Sequence, residues 1–568
     1  MGARRVVLVR VAHERETTMD QRDAQDRPRP ITDATVNRRL LVQGSAALGL
    51  SATMFGGAAA ARAQEATTGG TLSIVFVGEE PKTIDAQVDP FDPAALTCSW
   101  LADSLVSIDM DGAFIPSLAT EWTSSEDGTT WTFTLRDDVT FHDGTPFNAE
   151  AAKANFDRIL DPATQSAQSA STLGPVASVT AIDPVTLEIK HETPYVPFLD
   201  SISKGFVPMW SPTVFQEFGL EQFGLHLVGS GPFKLKEAKP ADRFVFERNP
   251  DYAWGPAHVQ NTGAPLLEEI VVRWIVENTT AIAALTAGEA NLVIGFPAEN
   301  LEDIEGNDYQ VTKAELAGSP TTYIMNTAKA PLDDVNVRRA LEHAINQQEI
   351  VDVLFNGEAV PTKGVMYPAS RCYWAGAETV YPFDLEQAKT ILGEAGWTMG
   401  DDSVMEKDGA KLQVTIVNAF VEDLGTIVQA QLKEIGVDAQ IELVSGPVQL
   451  ERANAGDFNL IFLHFAQTDP SVLEMLYNSA NNKPGGWSWT RYQDPALDQI
   501  LVESASTIDE AQRCELLTQA QQMIVEQALV LPLYGRYYVY VAAPEVKGLT
   551  VGPRARMDAW LNDVYIEG

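Results

Sequence analysis

Cysteine is scarce in this chain of 568 residues: Cys98, Cys372 and Cys514 are the only three. They are too few and too scattered for a disulfide framework or a cysteine-based zinc site. Positive charge is short as well. Forty Lys and Arg face 78 Asp and Glu, a formal charge of −38. Ten of the basic and six of the acidic residues fall in the first 63, so the remainder carries 30 against 72. A surface that acidic repels phosphate backbones and anionic lipid, which argues against nucleic acid as a partner. Beyond residue 64 no run of 18 apolar residues occurs, so no membrane-spanning helix is expected there. What remains is ordinary globular composition, 45% hydrophobic, at a length that suggests two to four domains.

Catalytic signatures are missing too. There is no HExxH, GxSxG, P-loop or CxxC. The seven histidines never fall three or four residues apart, so a helical metal site has no support. Gly229-Ser230-Gly231-Pro232 lacks the strand and helix context of a phosphate cradle and reads as a turn feeding a strand at Phe233. His142, beside Asp143-Gly144, reads as a strand-end turn. The expectation is a protein that is not an enzyme, with no cofactor.

The N-terminus reads as an address. Arg38-Arg39 precedes a mildly apolar Ala/Gly/Leu stretch that ends in Ala61-Arg62-Ala63, a small-x-small cleavage site. Residues 1–63 are therefore expected to be an N-terminal extension and twin-arginine-type signal. Cleavage near Ala63, with no Cys following, would release an unanchored protein into a periplasm-like space. Such a compartment allows one disulfide, with Cys372 and Cys514 a possible pair and three buried free thiols the alternative.

Strand and helix signals then alternate, which points to α/β architecture. Residues 71–77 read as a buried strand and 130–141 as a strand with Trp131, Phe133 and Leu135 on one face. Residues 232–248 read as a hairpin turning near Pro240. Val337, Ala340, Leu341, Ala344 and Ile345 form one helical stripe. Asn346 and Asp384 stand at helix starts, with Gly357 and Gly396 at the matching ends. Leu424, Ile427, Val428, Leu432 and Ile435 make another stripe, closed by Gly436. Residues 437–443 and 458–465 read as strands, which completes βαβ grammar. Aromatic pairs in Gly/Pro-rich loops, Tyr373 with Trp374 and Trp487 with Trp489, are candidate pocket liners or domain-edge caps. Arg371 could pin a carboxylate by a bidentate bond, or pair with a surface acid.

Several of these segments together resemble the family 5 solute-binding proteins of ABC importers, the oligopeptide, dipeptide and nickel-binding group. They are residues 118–150, with Leu135-Arg136, Phe141-His142-Asp143-Gly144 and Pro146; VGSGPF at 228–233; Glu247 to Tyr252; 336–357; Asp384 to Trp397; RYQDPALD at 491–498; and PLY at 532–534. The resemblance implies a type II periplasmic-binding-protein clamshell, α/β with mixed sheets and flanking helices. One lobe would combine 65–115, 228–322 and 530–568, with an insert of 116–227 beside it. The opposite lobe would be 323–529. The implied role is capture of a small peptide, opine-like or other amino-acid-derived solute, probed by closure and passed to ABC permease subunits with their cytoplasmic ATPase. A monomer is expected. The alternatives are a metal or metal-chelate binder of the nickel type and a secreted hydrolase.

The resemblance also places ligand contacts at Tyr323, Arg371, Tyr373, Trp374, His464, Phe465, Asp469, Trp487 and Trp489. Peptide binders of the group carry an acidic residue four positions before Pro470, to grip the peptide ammonium. Ala466 stands there, which leaves such an ammonium without a counter-charge. Ser488 replaces a commonly functional Asn, and Arg371 favours an anionic ligand group.

Overall fold

The computed structural model describes residues 68–419, 422–483 and 485–568. The expected signal segment and its cleavage point lie outside them. The first strand, Thr71–Val77 (β1), is flanked by Gly70 and Gly78 and buries Leu72, Ile74, Val75 and Phe76. The expected hairpin follows as Phe233–Lys239 (β2) and Arg243–Arg248 (β3). Further strands are Glu269–Ile275 (β4), Leu292–Ile294 (β5), Gln310–Glu315 (β6) and Gly318–Met325 (β7). Gln413–Asn418 (β8), Asp438–Leu443 (β9), Leu460–Ala466 (β10) and Val530–Ala542 (β11) complete the main set.

These strands form one mixed sheet in the order β9-β8-β10-β7-β11-β5-β1-β4-β3-β2, with β6 also paired to β11. β1 runs parallel to β4 and β5, and β8 parallel to β9 and β10. The long strand β11 belongs to both halves. Its Val530–Tyr534 stretch pairs with β7, while Tyr537–Ala542 pairs with β6 and Tyr540–Ala542 with β5. The chain crosses a second time between Glu315 and Gly318. A Cβ at Gly318 would sit 2.5 Å from the Gln467 nitrogen and the Phe465 oxygen, and φ there is +109°, so only glycine fits. At the other crossing a Cβ on Gly535 would stand 2.7 Å from the Tyr367 ring.

Helices pack on both faces. Asp92–Leu101 (α1) lies in the core of the β1 half, and its Trp100 indole donates to the Ala559 carbonyl at 2.8 Å. In the β7 half, Val335–Ala344 (α2) buries Val337, Ala340, Leu341 and Ala344 fully, the stripe read from the sequence. Val337 and Leu341 each withdraw enough surface from water to contribute roughly 1.5–3 kcal/mol, and the alanines less. Gln347–Phe355 (α3) starts where the Asn346 side chain accepts the Glu349 N–H at 3.3 Å, and it ends at left-handed Asn356 and Gly357. Leu385–Glu394 (α4) starts where the Asp384 carboxylate accepts the Glu386 and Gln387 N–H groups. Glu422–Lys433 (α5) links parallel strands β8 and β9, and Glu510–Glu526 (α6) runs back toward β11. Residues 116–227 contribute a separate four-stranded sheet and the helix Ala149–Leu160, around a core that includes Phe133, Phe156 and Phe198.

Two boundaries differ from the sequence reading. The strand at 130 stops at Leu135, and the chain then turns at Phe141–Gly144, where Asp143 accepts from Thr145, Ser211 and Thr213. The strand expected at 458 begins at Leu460, since the Phe458 and Asn459 carbonyls are taken by Asn326.

Three of the sequence motifs meet at one buried carboxylate. Asp103 accepts the Tyr252 hydroxyl at 2.9 Å, the Trp254 indole at 3.0 Å and the Ser230 hydroxyl at 2.8 Å. His142 closes the same knot. Its Nδ1 accepts the Gly229 N–H at 3.3 Å, and Nε2 lies 3.0 Å from the Gly231 carbonyl, as a neutral ring protonated on Nε2 requires. Burial pushes this imidazole down to about 4.

Asp103→Ala leaves three donors without their acceptor. It is expected to lower the unfolding free energy by about 2–4 kcal/mol, read from urea midpoints at unchanged slope. His142 stays neutral in the fold down to about pH 4, whereas an unfolded histidine protonates below about 6.5. Acidification through that window therefore favours unfolding, by about 1.4 kcal/mol per pH unit for this ring. His142→Asn should flatten that pH dependence relative to the unsubstituted protein between pH 7 and 4.5. Equal slopes would mean that the ring is already charged in the fold.

Candidate functional site

One of the two crossings, the β6–β7 link, helps to wall a small cavity. It is bounded by Asp92 at the start of α1, by Leu316 and Ala317 in the β6–β7 link, by Gln467 and Thr468 after β10, and by Arg554 to Met557. Its volume is about 20 Å³, room for one water. Leu316 and Ala555, which line it, pack with Tyr367 in a small apolar cluster. Wider hollows of about 440 Å³ beside Arg158 and about 560 Å³ beside Asp498 touch neither crossing.

The electrostatics around the cavity are unlike those of the rest of the chain. Arg556 Nε lies 2.9 Å from Asp92 Oδ2, and its guanidinium carbon stands 5.4 Å from the Tyr538 ring centre. Arg554 is committed elsewhere, to Asp558 at 2.9 Å and to the Ser203 hydroxyl and carbonyl, each at 2.9 Å. His464, on β10, has Nδ1 3.2 Å from the Tyr367 hydroxyl. Burial, then the charges of Arg556 and Arg536, push its imidazole down to about 3, so it is neutral. Burial raises the Tyr367 phenol, which stays protonated and can donate to that nitrogen.

A second seam closes beside the cavity. Thr468 Oγ1 donates to Asp200 Oδ1 at 3.2 Å, and Asp200 Oδ2 lies 2.5 Å from Lys204 Nζ. The Val196 N–H donates to the Ala505 carbonyl at 3.0 Å. The 116–227 segment is thus joined to the β7 half by polar contacts, with no covalent crossing between them.

The residues singled out in the sequence fall into four places. His464 is on β10, against the Tyr367 hydroxyl. Phe465, Trp487 and Trp489 form one aromatic group, with the two indoles 5.2 Å apart and Phe465 edge-on to Trp487 at 5.6 Å. Trp489 is buried and donates to the Gly486 carbonyl, while Trp487 keeps partial exposure. Tyr373 and Trp374 pack on the same core, and the Tyr373 hydroxyl meets Glu378. Arg371, beside them, is exposed and paired with Glu510 at the start of α6. Tyr323 is fully buried on β7 with no hydrogen-bond partner for its hydroxyl, and Asp469 is a buried partner of Arg513 at 2.6 and 2.9 Å.

The loop carrying Arg371 to Trp374 is held to α6 in three ways. Cys372 and Cys514 form a disulfide, with Cα atoms 4.9 Å apart, leaving Cys98 as a buried thiol. Gln521 donates to the Cys372 carbonyl at 2.8 Å and accepts the Trp374 N–H at 3.1 Å. The Arg371–Glu510 pair is the third tie.

Sequence reasoning missed Asp92, Tyr367, Arg536 and Arg556. Only one signal could have found Arg556. The pair Arg554-x-Arg556 stands in a chain that has more than twice as many acids as bases beyond residue 63.

Residues 113–487 match the family described as bacterial extracellular solute-binding proteins, family 5 Middle. The glutathione-binding protein GsiB of Shigella flexneri serotype 5b is 29% identical over 496 residues, covering 84% of this chain and 92% of that protein. The nickel-binding periplasmic protein of Escherichia coli K12 is 29% identical over 481 residues, covering 80% and 88%. The periplasmic binding protein DppA of Helicobacter pylori, solved with the peptide STSA, superposes with a TM-score of 0.71 at 25% identity, covering 88% and 99%. The fold is that of the type II periplasmic binding proteins, mixed α/β with a large mixed sheet. With two thirds of its length inside the family match, the chain belongs to the family 5 extracellular solute-binding proteins of bacterial ABC importers.

Proposed function

We propose that this protein captures a small amino-acid-derived solute, a short peptide or an opine-like compound, between two lobes and delivers it to an ABC permease. The observation that carries this reading is the cavity at the β6–β7 crossing. It is walled by both halves of the sheet, and only the 315–318 link and β11 join those halves covalently. One lobe comprises 65–115, 228–322 and 530–568, the insert is 116–227, and the opposite lobe is 323–529. A cavity of about 20 Å³ cannot take a peptide, so entry requires the lobes to part about the crossings. Solute that touches both walls then favours closure, and the shut form is what the permease reads. No bond is made or broken.

Within that cleft, His464, Phe465 and Trp487 are assigned to the ligand side. Tyr323, Asp469 and Trp489 are assigned to the frame behind them, and the stapled loop with Arg371, Tyr373 and Trp374 to its rim. Family members are periplasmic, and no helix among the described residues is long and apolar enough to cross a membrane. The basic pair at Arg38-Arg39 and the small-residue site at 61–63 support export with signal removal, and a monomer suffices for the mechanism.

One observation bears on a second reading. A relative is a nickel-binding protein, yet among the described residues no three His, Cys, Asp or Glu side chains converge. A metal would therefore have to arrive already chelated by an organic acid, and elemental analysis of the purified protein tests for it.

Titration of intrinsic tryptophan fluorescence with short peptides and N-carboxyalkyl amino acids should give a saturable change, with a fall in radius of gyration in X-ray scattering. A panel with no saturable member would remove this solute class. The staple of the rim loop closes 142 residues of chain, so Cys514→Ser should lower the unfolding free energy by about 2–5 kcal/mol. Reductant should reproduce that loss in the unsubstituted protein and add nothing to the variant.

A further inference from the structure

We propose that Arg556 is the receptor, on the lobe built around β1, for a carboxylate of the solute, so that the bound compound carries a free carboxylate at the end that enters this lobe. The inference rests on the solute-capture reading and narrows its substrate class.

Arg556 lines the cavity, and its nearest carboxylate contact is made through Nε, 2.9 Å from Asp92. The Tyr538 phenol takes another of its donors, and the planar guanidinium carries further N–H groups of the kind that pair with a carboxylate. Arg554, two residues earlier and lining the same cavity, is already held by Asp558 and Ser203.

The local charge agrees. Arg556 and Arg536 both act on His464, while Asp92 is the acid facing Arg556, and Arg554 with Asp558 cancel. The neutral His464 adds nothing to either sign. Arg556 thus sets a guanidinium at the cavity of a chain that carries 72 acids against 30 bases beyond residue 63. An anion repelled by most of such a surface is attracted to a cationic side chain of this kind. Burial also raises the Asp92 carboxyl, which weakens Asp92 as a competitor for the guanidinium.

The test uses the whole protein and a panel of di- and tripeptides and N-carboxyalkyl amino acids, each beside its amide. Acids should bind more tightly than their amides. Arg556→Gln should weaken the acids by about 30-fold or more and the amides by less than about 3-fold. Arg556→Lys keeps the charge but loses the planar guanidinium, so it should fall between, and it serves if the Gln variant does not fold. Equal loss for acid and amide, or no loss for either, would overturn the assignment while leaving solute capture intact. If the unsubstituted protein binds no panel member, solute capture of this class falls first, and the Arg556 assignment with it.

Discussion

The structure depends on one shared strand. β11 gives its first five residues to β7 and its last six to β6, so two otherwise separate hydrophobic cores are stitched by a single backbone. Backbone hydrogen bonds must be completed wherever they are buried, and this fixes the register of each half against the same strand. Any motion between the halves must then be absorbed near Gly535 and at the 315–318 link, where glycine lets neighbouring groups approach more closely than a side chain would allow.

The cleft depends on this arrangement in a second way. The cavity-facing groups come from distant parts of the sequence: Asp92, the 316–317 link, Gln467 with Thr468, and Arg556. None of these segments makes a pocket alone. They converge because β11 and the 315–318 link bring the strand ends of both halves to the same level. The contact of Asp200 with Thr468 adds a polar seam, and nearby in the sequence the Asp469–Arg513 pair is buried on both sides. Truncating one member of a buried pair of that kind leaves an uncompensated charge, which is why Asp469 belongs to the frame.

Much of the fold was legible because it is written in local chemistry. The stripe of α2, the caps at Asn346 and Asp384 and the left-handed exit at Gly357 are each decided within a few residues, and the structure has all of them. Strand ends were less legible. Leu135 is followed by the turn at Asp143, and Leu460 is set by Asn326, which lies elsewhere in the chain. The site was least legible of all. His464 could be picked out on a strand next to a recognisable Asp-Pro, but Arg556 sits in an irregular loop with no periodicity to mark it. Its partner Asp92 is 464 positions away, a pairing that only the three-dimensional arrangement creates. The family motifs at His142, Ser230 and Tyr252 proved to mark a structural knot around Asp103.

The shared strand also governs how the protein comes into being. The β1 half lacks its neighbour until residue 542 has been made, and the Trp100 indole finds its acceptor 459 residues downstream. During synthesis, therefore, the first-made half of the chain presents an unpaired edge at β5 and an uncovered core until β11 has been made. Such a chain cannot mature in the order in which it is made. It needs shielding until its C-terminus emerges, and a nonsense change anywhere before residue 530 would cripple the first-made half as surely as the last.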